Sequence, residues 1–309
     1  MRIAVTGASG FIGRHVVAEA ERRGHDVRGI AGPGSAQGID LRTGTGLNDA
    51  LRGADVVIHC AAAMGGDLAA QHAITVEGTR NLLNAMKESG VRDIVLIGTF
   101  AIYDYAQLRT DARLDESSPL EAQVDARAPY IRVKQEQEQL VRSTNGVAWT
   151  IVRPGLVYGP GRTWFHNLGA QLPGGVWLCL APESVLPLTH VSNCAQAIVL
   201  AAENSAARGK VLNLVDDDLP ARGDYIAELA ARQTPAPKRV SVPWSVLSRM
   251  AKAASSVAGH RVPDLLNPAS LNARCKPLQY SNARAKEVLG WQPSVQWRSG
   301  VSAALEAKA

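Results

Sequence analysis

A chain of 309 residues, 46% hydrophobic and 20% charged, can bury about three quarters of its unfolded surface, which excludes an intrinsically disordered protein. No apolar run reaches the roughly 18 to 20 residues of a membrane-spanning helix, so stable membrane insertion is not expected. The four cysteines (Cys60, Cys179, Cys194, Cys275) form no C-x-x-C pair, which argues against a disulfide framework and a cysteine zinc site. Met1-Arg2 leads straight into Ile3-Ala4-Val5 with no signal-peptide layout, and a cytoplasmic enzyme is expected. The net charge of +5 is uneven: residues 221–309 hold 13 Lys and Arg against 5 Asp and Glu, the first 220 hold 20 against 23. A basic C-terminal third suits an anionic small-molecule substrate as well as it suits a solvated face. It carries no nucleic-acid module pattern, so no nucleic-acid partner is expected.

In chain order, the pattern predicts a strand over 2–6, a helix over 10–23 and a strand over 26–30. A short third strand precedes Asp40. Strand 55–60, helix 74–89, strand 93–98, helix 129–143 and strand 148–153 follow. Near-continuous apolar strands joined by amphipathic helices call for a parallel sheet covered on both faces, with its ligand crevice at the carboxyl ends of the strands. Beyond Pro154 glycine and proline become dense. A strand over 185–191, a helix over 195–203 and a last strand over 210–215 return to the sheet. The fold expected is α/β: a doubly wound sheet over residues 1–160, with 185–216 returning to it. A smaller, interleaved C-terminal lobe takes 161–184 and 217–309 and covers the substrate.

Strand residues Ile3-Ala4-Val5 feed Thr6-Gly7-Ala8-Ser9-Gly10-Phe11-Ile12-Gly13 and then a helix. Gly7 permits the tight turn, Gly10 lets backbone approach a pyrophosphate and Gly13 lets helix and strand pack. Backbone N–H groups at the helix start bind the phosphates. The sheet is therefore expected to be Rossmann-type, with Gly7, Ser9, Gly10, Phe11, Ile12 and Arg14 on a dinucleotide. An NAD-preferring site places an acid about 20 residues on, yet residues 27–39 hold none and Ala31 or Gly32 stands there. Arg14 and Arg28 lie near enough in sequence to approach a 2′-phosphate. The reading favours NADP(H), with NAD(H) open. Asp40, followed by Leu41, is a candidate for the adenine amino group.

Tyr130-Ile131-Arg132-Val133-Lys134 puts a phenol and an ammonium at i and i+4 on one helix face, and Pro129 suits the first helical turn. A phenol of pKa about 10 is a poor acid–base at pH 7, but a cation within about 4 to 6 Å lowers it by about 1 to 3 units. Lys134 with an oxidised nicotinamide could bring Tyr130 into working range.

Along nearly its whole length the chain resembles the extended short-chain dehydrogenase/reductase family, also known as the NAD-dependent epimerase/dehydratase family. The resemblance is carried by Thr6 to Gly13, Asp40-Leu41, His59-Cys60-Ala61-Ala62, Gly78-Thr79-Arg80-Asn81-Leu82-Leu83 and the tyrosine–lysine pair. Arg153-Pro154-Gly155-Leu156-Val157-Tyr158-Gly159-Pro160-Gly161, His190-Val191 and Leu289-Gly290-Trp291-Gln292-Pro293 complete it. It implies that the Thr99 hydroxyl bonds the reacting oxygen and that Tyr130 exchanges the proton with it. Lys134 would hold the nicotinamide ribose and lower the tyrosine pKa. Together with Tyr130 and Lys134, Cys60, Ala61, Ala62, Pro154, Gly155 and Val157 would line the cofactor cleft. A helix-mediated homodimer is common in families of this kind.

Three departures narrow the choice. Family dehydratases follow the threonine with two acids, whereas Phe100-Ala101 stand here. Nucleotide-sugar enzymes often carry Arg-Asp-Tyr before His-Val, whereas Leu186-Pro187-Leu188-Thr189 stand here. Thr75 replaces the usual Asn. The expected activity is ketone–alcohol interconversion by hydride transfer on a small organic substrate. A nucleotide-sugar epimerase that recycles its NAD and a non-catalytic dinucleotide sensor are the alternatives. Phe100, Trp164 and His190 are candidate substrate contacts. His72, His166 and His190 lack metal-ligand spacing, so no metal is expected. Cys60, without a base partner, reads as a small buried hydrophobe. Residues 242–257, with Trp244, Val246, Leu247, Met250 and Val257, read as a lobe helix, with a lid or membrane-surface helix as the other reading.

Overall fold

The computed structural model describes the chain except residues 36–37, 125–126, 259–266 and 307–309. Six parallel strands make the central sheet: β1 (Arg2–Thr6), β2 (Asp26–Ile30), β3 (Val56–His59), β4 (Asp93–Ile97), β5 (Ala148–Pro154) and β6 (Val211–Leu214). Their spatial order is β6-β5-β4-β3-β1-β2. Because β1 has β2 on one side and β3 on the other, the chain leaves their carboxyl ends in opposite directions. That opening is the ligand crevice of a doubly wound sheet.

Period-two alternation sends residues to opposite faces. Ile3, Val5, Val56, Ile58 and Val95 pack with Val16 and Ala20 of helix α1 (Phe11–Arg22) and with the helix Val191–Glu203. Ala4, Val57, Ile94 and Leu96 pack with Leu47 and Leu51 of α2 (Leu47–Leu51), Leu82 and Met86 of α3 (Gly78–Ser89) and Val141 of α4 (Pro129–Ser143). Both faces are dry, which is why the strands read as continuous apolar runs.

The structure departs from the sequence pattern in three places. No third strand lies between β2 and Asp40 among the described residues: the Ile39 N–H turns back to the Ala31 carbonyl at 2.9 Å, so the loop closes on itself and β2 is the sheet edge. The helix expected to start at 74 is preceded by Leu68–His72 and a π-turn, Ala73–Glu77. The strand expected over 185–191 is Leu188–His190, paired with Leu156–Tyr158 outside the central sheet, and the following helix begins at Val191.

Beyond the central sheet, Gly169–Leu172, Val176–Leu180 and Lys238–Val242 form a three-stranded sheet. The helix Trp244–Ala258 lays Leu247 and Ala251 onto Leu180, Ala181, Leu271 and Cys275, while Val246 and Met250 are exposed. The side chain of Val257 lies outside the described residues. Among the described residues no helix is long and apolar enough to cross a membrane.

Candidate active site

At the carboxyl end of β1, Gly7 has φ +67°, and a Cβ there would lie 2.8 Å from the Ala61 nitrogen. The glycine lets the exits of β1 and β3 touch. A Cβ on Gly13 would lie 2.1 Å from the Gly7 carbonyl oxygen, so only glycine lets α1 sit on the turn. Gly10 caps α1 without a side chain, leaving the N–H groups of the first turn without intrahelical partners at the positive end of the helix dipole. This is a cradle for a diphosphate. Phe11 at its lip has Arg14 Cζ 5.3 Å and Arg162 Cζ 5.4 Å from its ring centroid.

Arg28 does not reach that cradle. It lies mid-strand opposite Ala4 and its Nη1 donates to the Asp49 carbonyl at 2.7 Å. Asp40 accepts from Arg42 Nη2 at 2.6 Å and from Arg42 N at 2.9 Å, and those bonds hold its carboxyl below the ordinary value. Asn81 Nδ2 donates to the Leu41 and Arg42 carbonyls, both at 2.9 Å, so the glycine–threonine–asparagine segment of α3 fixes this loop. After β3, Cys60-Ala61-Ala62 run past Gly7, and Ala63 N donates to Thr75 Oγ1 at 3.0 Å. Burial pushes the Cys60 thiol up to about 12; it stays protonated and is no nucleophile.

Pro129 starts α4 and Tyr130 follows, its phenol close enough to Thr99 for that side chain to favour the tyrosinate. Thr99 caps the short 3₁₀ turn Phe100–Ile102 just past β4, its Oγ1 accepting from Ala101 N at 3.1 Å. Burial raises the phenol above its ordinary value, and Thr99 and the charge of Arg162 oppose that rise. Lys134, only 2% exposed, donates from Nζ to the Ile97 carbonyl at 2.7 Å and to Gln137 Oε1 at 2.5 Å. Burial pulls its ammonium down to about 8, against the charge of Glu138.

One turn beyond Lys134, Glu138 makes a bidentate pair with Arg153 of β5, at 2.7 and 3.1 Å. A Cβ at Gly98 would lie 2.5 Å from Glu138 Oε1, so the glycine before Thr99 makes room for the carboxylate. Arg153 also donates to Tyr103 Oη at 3.0 Å, which donates to Asn213 Oδ1 at 2.7 Å. A Cβ on Gly155 would lie 2.1 Å from the Pro187 oxygen, so Pro154-Gly155 runs tight against that segment, with Val157 buried.

Of the candidate substrate contacts, Phe100 and His190 are buried and Trp164 is half-buried. Phe100 lies edge-on to Tyr103 at 5.7 Å and beside Tyr280. Trp164 lies edge-on to Trp177 at 4.9 Å. His190 caps its helix by accepting from Ser192 N, and its ring meets Tyr158 at 5.2 Å. Sequence reasoning did not name Gln137, Glu138 or Arg162 as site residues. For Glu138 the signal was present, four residues beyond Lys134 on the same helix face. Arg162 follows a Gly-Pro-Gly turn and carries no periodic signal. Among the described residues no group of three His, Cys, Asp or Glu could hold a metal.

Residues 3–214 match the model of the NAD dependent epimerase/dehydratase family. An uncharacterised protein of Mycobacterium tuberculosis is 47% identical over 103 residues, 31% of this chain, and the match covers 12% of that protein's length. The 3-diazoavenalumate denitrifying reductase of a Streptomyces species is 28% identical, with 97% of this chain and 99% of that protein covered. The structure of a UDP-glucose 4-epimerase from Thermotoga maritima with UDP-glucose superposes with a TM-score of 0.74 at 19% identity, covering 100% and 98% of the two chains; that likeness is one of fold. With a family model spanning the cradle, the Tyr130 helix and the last strand of the sheet, the chain belongs to the NAD-dependent epimerase/dehydratase family.

Proposed function

We propose that the protein is an NAD(P)(H)-dependent oxidoreductase that interconverts a ketone and a secondary alcohol. Tyr130 is the acid/base, Thr99 orients the substrate oxygen and Lys134 holds the nicotinamide ribose. What supports this reading is the placing of Tyr130 beside Thr99 at the carboxyl end of β4, with the Lys134 ammonium one turn along the same helix.

When bound, a reduced nicotinamide would supply the hydride. As the carbonyl carbon gains it, the oxygen becomes an alkoxide and takes the Tyr130 proton, and the Thr99 hydroxyl fixes the direction of approach. A phenol held above its ordinary value is protonated at neutral pH, the form that reduction needs. The charge of Arg162 favours the tyrosinate left behind, a part the sequence had assigned to Lys134.

Residues 1–160 and 185–216 would bind the cofactor, and 161–184 and 217–309 would cover the substrate. NADP(H) is the preferred form in this reading, because Ala31 follows β2 where an acid would exclude a 2′-phosphate; Arg14 beside the cradle is its partner. The epimerase alternative draws support from the basic C-terminal third. Against it, the segment where a diphosphate-binding arginine would stand carries Leu186 and Leu188, both fully buried.

The test is to denature the purified protein and identify the released nucleotide by mass spectrometry, then follow NADPH oxidation over a panel of ketones. An exchanging cofactor and turnover that falls about 10²-fold or more in Tyr130→Phe are expected. Stoichiometric NAD retained through purification would favour the epimerase, and turnover that survives in Tyr130→Phe would overturn the mechanism.

A further inference from the structure

Lys134 is held by a buried polar network that no part of the reading above requires. Gln137, fully buried, accepts from Lys134 Nζ at 2.5 Å and donates from Nε2 to Thr79 Oγ1 at 2.8 Å. Thr79 passes its own hydroxyl hydrogen to the Thr75 carbonyl at 2.5 Å. With its hydrogen there, its oxygen accepts, and His59 Nε2 at 2.8 Å is then the donor. His59 Nδ1 is then bare and takes the Thr6 hydroxyl at 2.6 Å. Burial and the Lys134 charge keep this imidazole neutral. Gln137 Nε2 also lies 3.2 Å from His59 Nε2, and the Gln137 amide cannot flip without turning its NH₂ onto an ammonium.

We propose that Gln137 is a positioning residue: its amide oxygen holds the Lys134 ammonium at the carboxyl end of β4, and Thr79, His59 and Thr6 hold the amide. This rests on the reading of Lys134 as the ribose-holding cation. The ammonium has no carboxylate of its own, because Glu138 is committed to Arg153. A glutamate at 137 would accept from Lys134 but could not donate to Thr79. Glutamine satisfies both ends, and the residue ties α4 to α3 through Thr79, to β3 through His59 and to β1 through Thr6.

The charged and titratable groups that face the ammonium are Glu138 on its own helix and Cys60 and His59 at the end of β3. The π-turn and α3 meet the network with Thr75 and Thr79, and β4 with the Ile97 carbonyl.

The experiment measures the dissociation constants of NADPH and NADH by nicotinamide fluorescence from about pH 7 to 10, above the range where phosphate monoesters titrate. It compares wild type with Lys134→Met, Gln137→Leu and Gln137→Glu. Wild type should lose affinity through a one-proton step near pH 8, and Lys134→Met should lack that step. Losing an acceptor disfavours the ammonium and gaining a carboxylate favours it. The midpoint should therefore fall by about one unit in Gln137→Leu and rise by about one in Gln137→Glu. If Gln137→Leu does not fold, the direction of the Gln137→Glu shift decides. Midpoints unchanged in the Gln137 variants, with the step absent in Lys134→Met, would overturn the positioning role alone. A step that persists in Lys134→Met would overturn the reading of Lys134, and the proposal with it.

Discussion

Replacing Glu138 by Gln tests how far the site depends on one buried ion pair. Glu138 is 3% exposed and Arg153 2%, their carboxylate and guanidinium oxygens and nitrogens paired at 2.7 and 3.1 Å. Removing one charge leaves the other buried and uncompensated, which costs about 3 to 5 kcal/mol. A domain of this kind is stable by about 5 to 15 kcal/mol, so the variant should still fold. With an unfolding entropy of about 2.1 cal/mol/K per residue, a chain of 309 residues should melt about 5 to 8 °C lower. Tyr103 still accepts from Arg153 and softens the loss, so the lower end is expected. The Glu138 charge also supports the Lys134 ammonium, and the alkaline loss of cofactor affinity should move to lower pH. Thermal melts and fluorescence titration across pH check both arms. A Glu138→Gln protein melting within about 1 °C of wild type would refute the argument from the buried charge.

Tyr130→Phe should lower kcat/KM for ketone reduction by about 10² to 10⁴ with NADPH affinity unchanged, measured by initial rates and by titration. Gly13→Ala should weaken both NADPH and NADH, because its Cβ would sit 2.1 Å from the Gly7 oxygen; unchanged binding would show that the turn moves freely. Ala31→Asp should raise the NADH-to-NADPH affinity ratio by about tenfold, the equivalent of roughly 1.4 kcal/mol. Lys134 releases its proton in the folded chain near 8 but keeps it to 10.5 when unfolded. Between those values the unfolded state binds more protons, so folding stability rises with pH through this group. The stability of wild type relative to Lys134→Met should therefore grow from pH 8 to 10.5, by denaturant midpoints.

What the sequence made legible divides along a physical line. The glycine turn could be read because Gly7, Gly10 and Gly13 each answer a local steric demand, two of them visible as Cβ positions under 3 Å from backbone. The Tyr130–Lys134 spacing follows from helix periodicity alone, and α4 spans the predicted residues. The strand before Asp40 could not be judged the same way, since a loop hydrogen bond from Ile39 to Ala31 competes with sheet pairing and periodicity carries no term for it. Arg28 was close to the cradle in sequence but lies mid-strand, with its guanidinium on the Asp49 carbonyl; side-chain direction is set by tertiary partners. The same holds for Gln137, whose partner Thr79 lies 58 residues away. Such pairings are made by the fold, and no local pattern announces them.

The two groups proposed for proton exchange and ribose binding are displaced in opposite senses by one cause. Burial disfavours whichever form is charged, so it lifts the Tyr130 phenol above 10 and lowers the Lys134 ammonium from 10.5 to about 8. At neutral pH both groups then carry their protons, and a phenol beside Thr99 is set to give one up to an alkoxide. Oxidation would need the tyrosinate, and raising the pH to make it would first discharge Lys134. The cation whose field reaches Tyr130 is Arg162, from the loop that follows the Leu156–Tyr158 strand. Arg162 also stacks on Phe11 at the lip of the phosphate cradle. If Tyr130 and Lys134 act as proposed, a site arranged this way loses activity on the alkaline side through the lysine before the tyrosine ionises.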